Sequence, residues 1–589
     1  MKKALLIFVV VALIAEVYFV FQKKPGSLDL APGRAAELAP ADSILFLEFP
    51  DVARSKSRWS GTALRKIADE PEWKEFTAKW ADFKAENLEW RQIDGVLSQI
   101  ERADPAGLFL AFNSFDGEFP KMVGGFPYRG KKSDVQEVVS SLRKKVMDAF
   151  PTAKSDLSSY EGTEIETLKD KAMTVSLAYR DNWFLFATDT ELLLKTLGRY
   201  IRKPDAAAGL ASDSLWKDTI KHGTRDPDMT VFLRFEPLIK KLADLAALTN
   251  PGNAMPMNPN KVESMLYSAK MDGLLMRDHF YVRAGKVPKV ETFANRSAAF
   301  TSPATYVYAG GQVAYAGESM KESLDAMEKT LGDGLSKSLA TKGLKFADLF
   351  TTFGPEIALL SDWESGGLAL PTFFAAVEIQ DKAKARLFAD LLVGEIGEPE
   401  KLLKSEEAGT TFWTTPGPVP LMQPTIAMND QHLAFGLNAD TVKTALKQAK
   451  AAKSEVAVRA DYQTALKTVA APKAGVFYLD MKTLFERLYE KLKPMAAFAL
   501  VGQPEVAKYL DPSKLPKAES ISRHLLPMVI SWAEAENGTQ MDCTGSVSLV
   551  QAYVPVVGVG ALFFFKSMPM AAPTPPPPFV PGDAPPKNP

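Results

Sequence analysis

The chain repeats itself. Ala178-Tyr-Arg-Asp-Asn-Trp-Phe-Leu-Phe186, followed by Asp189-Thr-Glu-Leu-Leu-Leu-Lys-Thr-Leu197, returns about 250 residues later as Ala427-Met-Asn-Asp-Gln-His-Leu-Ala-Phe435 and Asn438-Ala-Asp-Thr-Val-Lys-Thr-Ala-Leu446. Each copy reads as strand, polar turn, strand, then a helix capped by Asp189 or Asn438.

Other segments recur in the same order. Pro40-Ala41-Asp42 before Ile44-Leu-Phe-Leu47 matches Pro303-Ala304-Thr305 before Tyr306-Val-Tyr-Ala309. Pro120-Lys-Met-Val-Gly-Gly-Phe126 matches Pro371-Thr-Phe-Phe-Ala-Ala-Val377, and each leads into a helix, from about Ser133 and from Asp381. Val231-Phe-Leu-Arg-Phe235 with a helix over 236–247 matches Val476-Phe-Tyr-Leu479 with a helix over 481–492. Asn258-Pro-Asn-Lys261 and Asp511-Pro-Ser-Lys514 each precede a hairpin, the first pairing 264–273 with 275–284 and the second turning at Asn537-Gly538. The expected fold is α+β: two homologous modules, about 39–286 and 298–549, joined by a linker at 287–297, each an antiparallel sheet with helices packed on one face. Two copies are too few for a solenoid.

The halves differ at one place. The first carries a Trp-rich helical insertion, about 60–100, in which Trp73, Phe76, Trp80, Phe83, Ile93, Val96 and Ile100 recur at mostly three, four and seven positions, the stripe of an amphipathic helix or helix pair. Such a stripe ordinarily docks on its own module's sheet. Four tryptophans, Trp59, Trp73, Trp80 and Trp90, exceed what a core helix needs, so Trp73, Phe76, Trp80, Phe83 and Trp90 are also the candidate surface for a partner or ligand.

Both ends are apolar. Met1-Lys2-Lys3 precedes an apolar run from Ala4 to Phe21 broken only by Glu16, then Gln22-Lys23-Lys24. That run spans a bilayer core, and the leading lysines place the N-terminus in the cytoplasm. No A-x-A cleavage site follows and no lipobox cysteine is present, so 1–24 is expected to remain as a signal anchor, with 25–38 as a linker. The expected location is a bacterial cytoplasmic membrane with the body facing the periplasm or cell exterior. From Cys543 to Phe565 no charged residue occurs, and 550–566 is either a second transmembrane segment or the continuation of a buried strand into a linker. The tail, 567–589, contains Pro575-Pro576-Pro577-Pro578 and reads as extended polyproline.

Catalytic signatures are missing. There is no phosphate-binding glycine loop, G-x-S-x-G, H-E-x-x-H or calcium loop, and His222, His279, His432 and His524 stand singly. Ser141-Leu-Arg-Lys144 and Ser214-Leu-Trp-Lys217 have Ser-x-x-Lys spacing without the accompanying Ser-Asp-Asn or Lys-Thr-Gly, and Cys543 has no identifiable base. The acid pairs Glu86/Glu89 and Glu406/Glu407 read as solvated surface. No catalytic, cofactor-binding or metal-ligating residue is therefore assigned. A net charge of -1 argues against nucleic acid as a partner, and a single cysteine leaves an exported body to hold together by its core alone.

Ala39-Pro-Ala-Asp-Ser-Ile-Leu-Phe-Leu47, then Trp59-Ser-Gly-Thr-Ala-Leu64 and Asp69-Glu-Pro-Glu-Trp-Lys-Glu-Phe76, resembles a family of uncharacterised, membrane-anchored bacterial envelope proteins with a proline-alanine-aspartate strand motif. The resemblance implies location and architecture and supplies no catalytic residues. The expectation is a non-enzymatic envelope protein that binds a ligand or scaffolds a partner, whether lipid, peptide or another envelope protein, on apolar strands carrying Phe184, Phe186, Phe373 and Phe374. The alternative is a cell-envelope hydrolase whose site is assembled from distant residues.

Overall fold

The computed structural model describes residues 34–86, 98–99, 101–114, 120–171, 173–240, 262–284, 293–313, 333–364, 370–396, 401–416, 423–451, 454–501 and 508–549. The signal anchor, the 550–566 segment and the proline-rich tail lie outside these residues. Among the described residues no helix is long and apolar enough to cross a membrane. Those from Arg34 to Val547 belong to one compact unit.

Its frame is a single antiparallel sheet. The first ten strands are β1 (Leu45–Phe49), β2 (Leu108–Ser114), β3 (Lys121–Pro127), β4 (Lys154–Tyr160), β5 (Thr163–Lys169), β6 (Thr174–Arg180), β7 (Trp183–Ala187), β8 (Met229–Arg234), β9 (Val262–Asp272) and β10 (Leu275–Ala284). The last ten are β11 (Thr305–Gln312), β12 (Phe353–Asp362), β13 (Phe374–Ile379), β14 (Leu403–Glu407), β15 (Thr410–Thr414), β16 (Thr425–Met428), β17 (His432–Gly436), β18 (Gly475–Leu479), β19 (Met528–Ala535) and β20 (Gly538–Gly545).

In space the first ten lie in the order β4-β5-β6-β7-β3-β2-β1-β8-β9-β10. The last ten take the same order displaced by ten, β14-β15-β16-β17-β13-β12-β11-β18-β19-β20. The two sets join where β10 pairs with β20, from Met276 opposite Gly545 to Arg283 opposite Gly538. The sheet therefore does not end at the 287–297 linker. Its free edges are β4 and β14, whose Lys154, Asp156, Lys404, Glu406 and Glu407 are exposed, which discourages further strand addition.

Helices cover both faces, not one. On the front face, Phe46, Ala111, Val123, Leu185 and Phe232 pack under helices Thr190–Tyr200 and Ser214–Ile220 through Leu193, Leu197 and Trp216. Ala358, Leu360, Phe374 and Ala434 do the same under helix Ala439–Ala451 through Val442, Ala445 and Leu446. On the back face, Leu177 and Phe184 meet helix Lys132–Ala149 through Val135, Val138 and Val139. Ile426 and Leu433 meet helix Lys382–Ile396 through Ala385, Phe388 and Ala389. The reason is visible in Trp183-Phe-Leu-Phe-Ala187: successive side chains of a strand point to opposite faces, so an unbroken apolar run needs cover on both.

The helix caps follow the sequence: Asp189 accepts from the Leu192 amide at 2.9 Å and Asn438 from the Thr441 amide at 2.8 Å. The second hairpin differs by one position. Its two-residue turn is Glu536-Asn537, with Asn537 at φ 56°, and Gly538 is already paired in β20. A Cβ at 538 would collide with the Val282 carbonyl oxygen across the β10/β20 join and press on the Tyr281 ring. Replacement Gly538→Ala is expected to lower unfolding stability by about 1–3 kcal/mol through overpacking, measured by urea denaturation. Gly394→Ala, on an exposed helical position with nothing near its Cβ, is expected to raise it by about 0.5–1 kcal/mol and serves as the opposite-sign control.

Candidate functional site

Among its described residues the Trp-rich insertion forms three short helices, Ala63–Asp69, Pro71–Phe76, which Pro71 opens, and Trp80–Glu86, and the described part of the stripe lies on the last two. Trp73, Phe76, Trp80 and Phe83 lie on the last two helices and are all half-buried; Trp90, Ile93, Val96 and Ile100 lie outside the described residues. Trp80 stacks on Phe83 at 4.7 Å, and Phe83 meets Tyr509 edge-on at 5.2 Å. The stripe thus touches the second half of the chain.

Around that contact the charges are sorted. Glu70 accepts from Arg523 and pairs with His524; Glu72 accepts from the Lys517 amide at 2.7 Å and the Ser520 hydroxyl at 2.8 Å. Glu75 pairs with Lys514 at 3.1 Å, and Glu86 takes Lys508 at 2.7 Å together with the Tyr509 hydroxyl. Four glutamates of the insertion clasp a basic segment, 508–524. The Arg523 guanidinium, then His524, holds the Glu70 carboxyl below its ordinary range, and Lys508 does the same for Glu86. Glu70 is the buried member of the set, at 8% exposure.

A second cluster sits on the front face where the halves join. The hairpin turns between Asp272 and Leu275 and between Ala535 and Gly538 align the halves with a shift of 263 positions, and that shift carries His279 onto Asp542. The same two residues face each other in the β10/β20 ladder, so the pair lies at the centre of the join. His279 Nδ1 is 2.6 Å from Asp542 Oδ1, and Asp542 Oδ2 accepts from the Ala470 amide at 3.0 Å. Outward from the pair stand Ser268 and Ser531, themselves separated by the same shift, giving a row Ser268, His279, Asp542, Ser531 across β9, β10, β20 and β19. His279 Nε2 and the Ser531 hydroxyl are buried and find no hydrogen-bond partner among the described residues, while Ser268 is engaged with Thr224. His222 stacks on Tyr281 beside this row at 4.0 Å, and burial lowers its pKa.

A third feature is apolar. On the back face of β12, Ile357 and Leu359 are 38% and 40% exposed. Leu359 lies beside Ala309 and Ala375, and Ala375 beside Phe435, whose ring is 6.3 Å from that of Phe373, itself 37% exposed. Of the four phenylalanines expected to line an apolar surface, Phe184 and Phe374 are buried in the core, Phe186 is half-buried, and Phe373 borders this patch.

The remaining sequence candidates separate cleanly. Cys543 is buried in β20 and burial pushes its thiol pKa far up, which removes it as a nucleophile. Ser214 and Lys217 are both exposed on helix Ser214–Ile220. His432 stands in β17 with its ring against Phe300. Among the described residues no group of three His, Cys, Asp or Glu side chains is placed to hold a metal ion. Glu48 in β1 was missed: burial alone pushes its carboxyl up to about 7, and a single acid inside an apolar strand, Leu45-Phe-Leu-Glu-Phe49, was the available signal.

The profile of a family described as a protein of unknown function, DUF3352, matches residues 362–526, well under half of the chain. No curated protein matches. Among solved structures, crystal form III of TP0453 is 13% identical, with 45% of this chain and 82% of that chain covered and a TM-score of 0.24. Crystal form I of TP0453 gives 11% identity, 45% and 82% coverage and a TM-score of 0.23. At that overlap the likeness carries no argument.

Two measurements address the titrating groups. A raised carboxyl pKa means that the native state holds its proton longer, so Glu48 disfavours folding as pH rises from its unfolded value, about 4.5, through about 7. Glu48→Gln is expected to add about 1–3 kcal/mol at pH 8 and nothing near pH 4, measured by urea denaturation at each pH. Glu70 has the opposite sign: its stabilisation is full above the ordinary carboxylate pKa and is lost as pH falls through the depressed one. A double-mutant cycle of Glu70→Gln and Arg523→Gln, followed by urea denaturation, is expected to show favourable coupling at pH 7 that vanishes at low pH.

Proposed function

We propose that this chain is a membrane-anchored extracytoplasmic protein of the bacterial envelope that works by binding, and that its ligand is a lipid acyl chain. Its two halves, on this reading, descend from one duplicated α+β unit, which the repeated strand order supports. The observation that carries the binding reading is the patch of Ile357, Leu359 and Phe373 on the back face of the sheet. A soluble surface scatters single apolar residues, whereas alternate positions of one strand and the adjoining strand end make a contiguous apolar strip. Apolar burial supplies the affinity, at about 25 cal/mol for each Å² removed from water.

A second reading has one specific observation in its favour. The row Ser268, His279, Asp542, Ser531 brings a serine, a histidine and a carboxylate onto one face, with His279 Nδ1 held by Asp542. In a hydrolase the carboxylate orients the imidazole and its other nitrogen activates a hydroxyl. Against it, the Ser268 hydroxyl is already committed to Thr224 and is 1% exposed.

Full-length protein purified in mild detergent is expected to carry phospholipid detectable by native mass spectrometry. The double replacement Ile357→Asp with Leu359→Asp is expected to lose most of it while keeping the same unfolding midpoint in urea. Recovery of a peptide or no lipid in the parent chain, or equal lipid in the variant, sinks the binding reading. Covalent labelling by a fluorophosphonate that disappears in His279→Ala would install the hydrolase in its place.

A further inference from the structure

We propose that helix Met481–Val501 lies on the surface of the bilayer, with Leu488, Leu492 and Met495 inserted among the lipid headgroups and upper acyl chains. The proposal rests on the anchoring reading above and adds a second point of membrane contact to it.

The helix is built the wrong way round for a soluble protein. Leu484, Leu488, Leu492 and Met495 recur at four, four and three positions, which puts them on one stripe. In an ordinary surface helix that stripe faces the core. Here Leu488 is 40%, Leu492 51% and Met495 65% exposed, while the polar side is the one fastened to the body. Glu486 accepts from the Ser522 hydroxyl at 2.6 Å, the Tyr489 hydroxyl donates to the Pro516 carbonyl at 2.5 Å, and Lys493 Nζ reaches the Leu515 and Pro516 carbonyls at 3.3 Å. These bonds fix the roll of the helix, so the apolar stripe cannot turn inward. Its outward exposure grows along the helix.

Three things select a lipid surface over a second protein. The first is charge: Lys491 borders the stripe, whereas Glu486 and Glu490 fall on the opposite side, Glu490 with Arg487 paired to it at 3.9 Å. A lysine beside an apolar stripe suits an anionic interface, where its long stem lets the charge reach the headgroups. The second is the tether. Gln22 to Gly33 is twelve residues, with a reach of about 40 Å when extended, so an anchor at Ala4–Phe21 holds Arg34 and the body beside the bilayer. The third is effective concentration: a tethered weak interfacial helix is converted to a stable contact, because the second binding step is intramolecular.

The test uses the full chain in nanodiscs of phosphatidylethanolamine and phosphatidylglycerol, with single cysteines carrying an environment-sensitive NBD probe. Native Cys543 is 1% exposed and its thiol is held protonated, so the parent chain is the labelling blank. Probes at Leu488→Cys, Leu492→Cys and Met495→Cys are expected to emit to the blue and to lose most of their emission when nitroxide-bearing lipid is included. A probe at Thr464→Cys, exposed on helix Ala460–Leu466, is expected to do neither. Val11→Cys reports the anchor separately. Quenching at Val11 with none at the three stripe positions overturns the proposal and leaves the anchor standing. A blue shift without lipid quenching also overturns it, since protein then covers the stripe. A silent Val11 probe overturns the anchoring reading, and this proposal falls with it.

Discussion

Everything in this molecule is referred to one ladder of hydrogen bonds, the antiparallel pairing of β10 with β20. It turns two ten-stranded sheets into one of twenty, and it buries the strand edges that each half would otherwise expose. Because the two strands are equivalent in the two halves, the ladder runs through a local two-fold axis. Gly538 shows how close the approach is, since the backbone of Val282 and the ring of Tyr281 occupy the space a side chain would need. The clasp of Glu70, Glu72, Glu75 and Glu86 on the segment 508–524 is the second tie between the halves. The backbone hydrogen bonds of the ladder do not titrate, whereas the clasp depends on ionised carboxylates and weakens in acid. The two ties therefore differ in what can loosen them.

Much of this architecture was legible in the sequence for a physical reason. Strand, polar turn, strand and capped helix are local patterns, and Asp189 and Asn438 bond their helices within three residues. The α+β class and the antiparallel hairpins follow from such patterns. What was not legible is what the halves do to each other. Nothing local to His279 marks its partner as Asp542, and nothing in Glu70-Pro-Glu72 points to Lys517, Ser520 and Arg523. The cover on both sheet faces was readable in Trp183–Ala187, where five successive apolar side chains have no polar face to give to water. Helix periodicity in the aromatic insertion was legible as one helix or a pair, and the described part of the stripe lies on a pair, Pro71–Phe76 and Trp80–Glu86.

The insertion also explains why the halves are not interchangeable. Among the described residues, Glu70, Glu72, Glu75 and Glu86 find their basic partners in the other half, so a copy of the insertion in the second half would need a matching basic segment in the first. The described residues place Phe83 against Tyr509, inside the same contact. Aromatic rings that are half-buried in an ionic clasp are held in place by it, and an aromatic-rich stripe here need not signal an open groove.

The central pair carries the deepest consequence of the symmetry. At a two-fold axis through an antiparallel ladder, a residue faces its own counterpart. With identical halves that meeting would be histidine against histidine or carboxylate against carboxylate, and like charges directly opposite one another are unfavourable. A histidine facing a carboxylate is attractive instead, and it is available only when the halves differ at that one position. Ser268 and Ser531, one strand further out on either side, are alike and do not meet each other, so no such conflict arises between them.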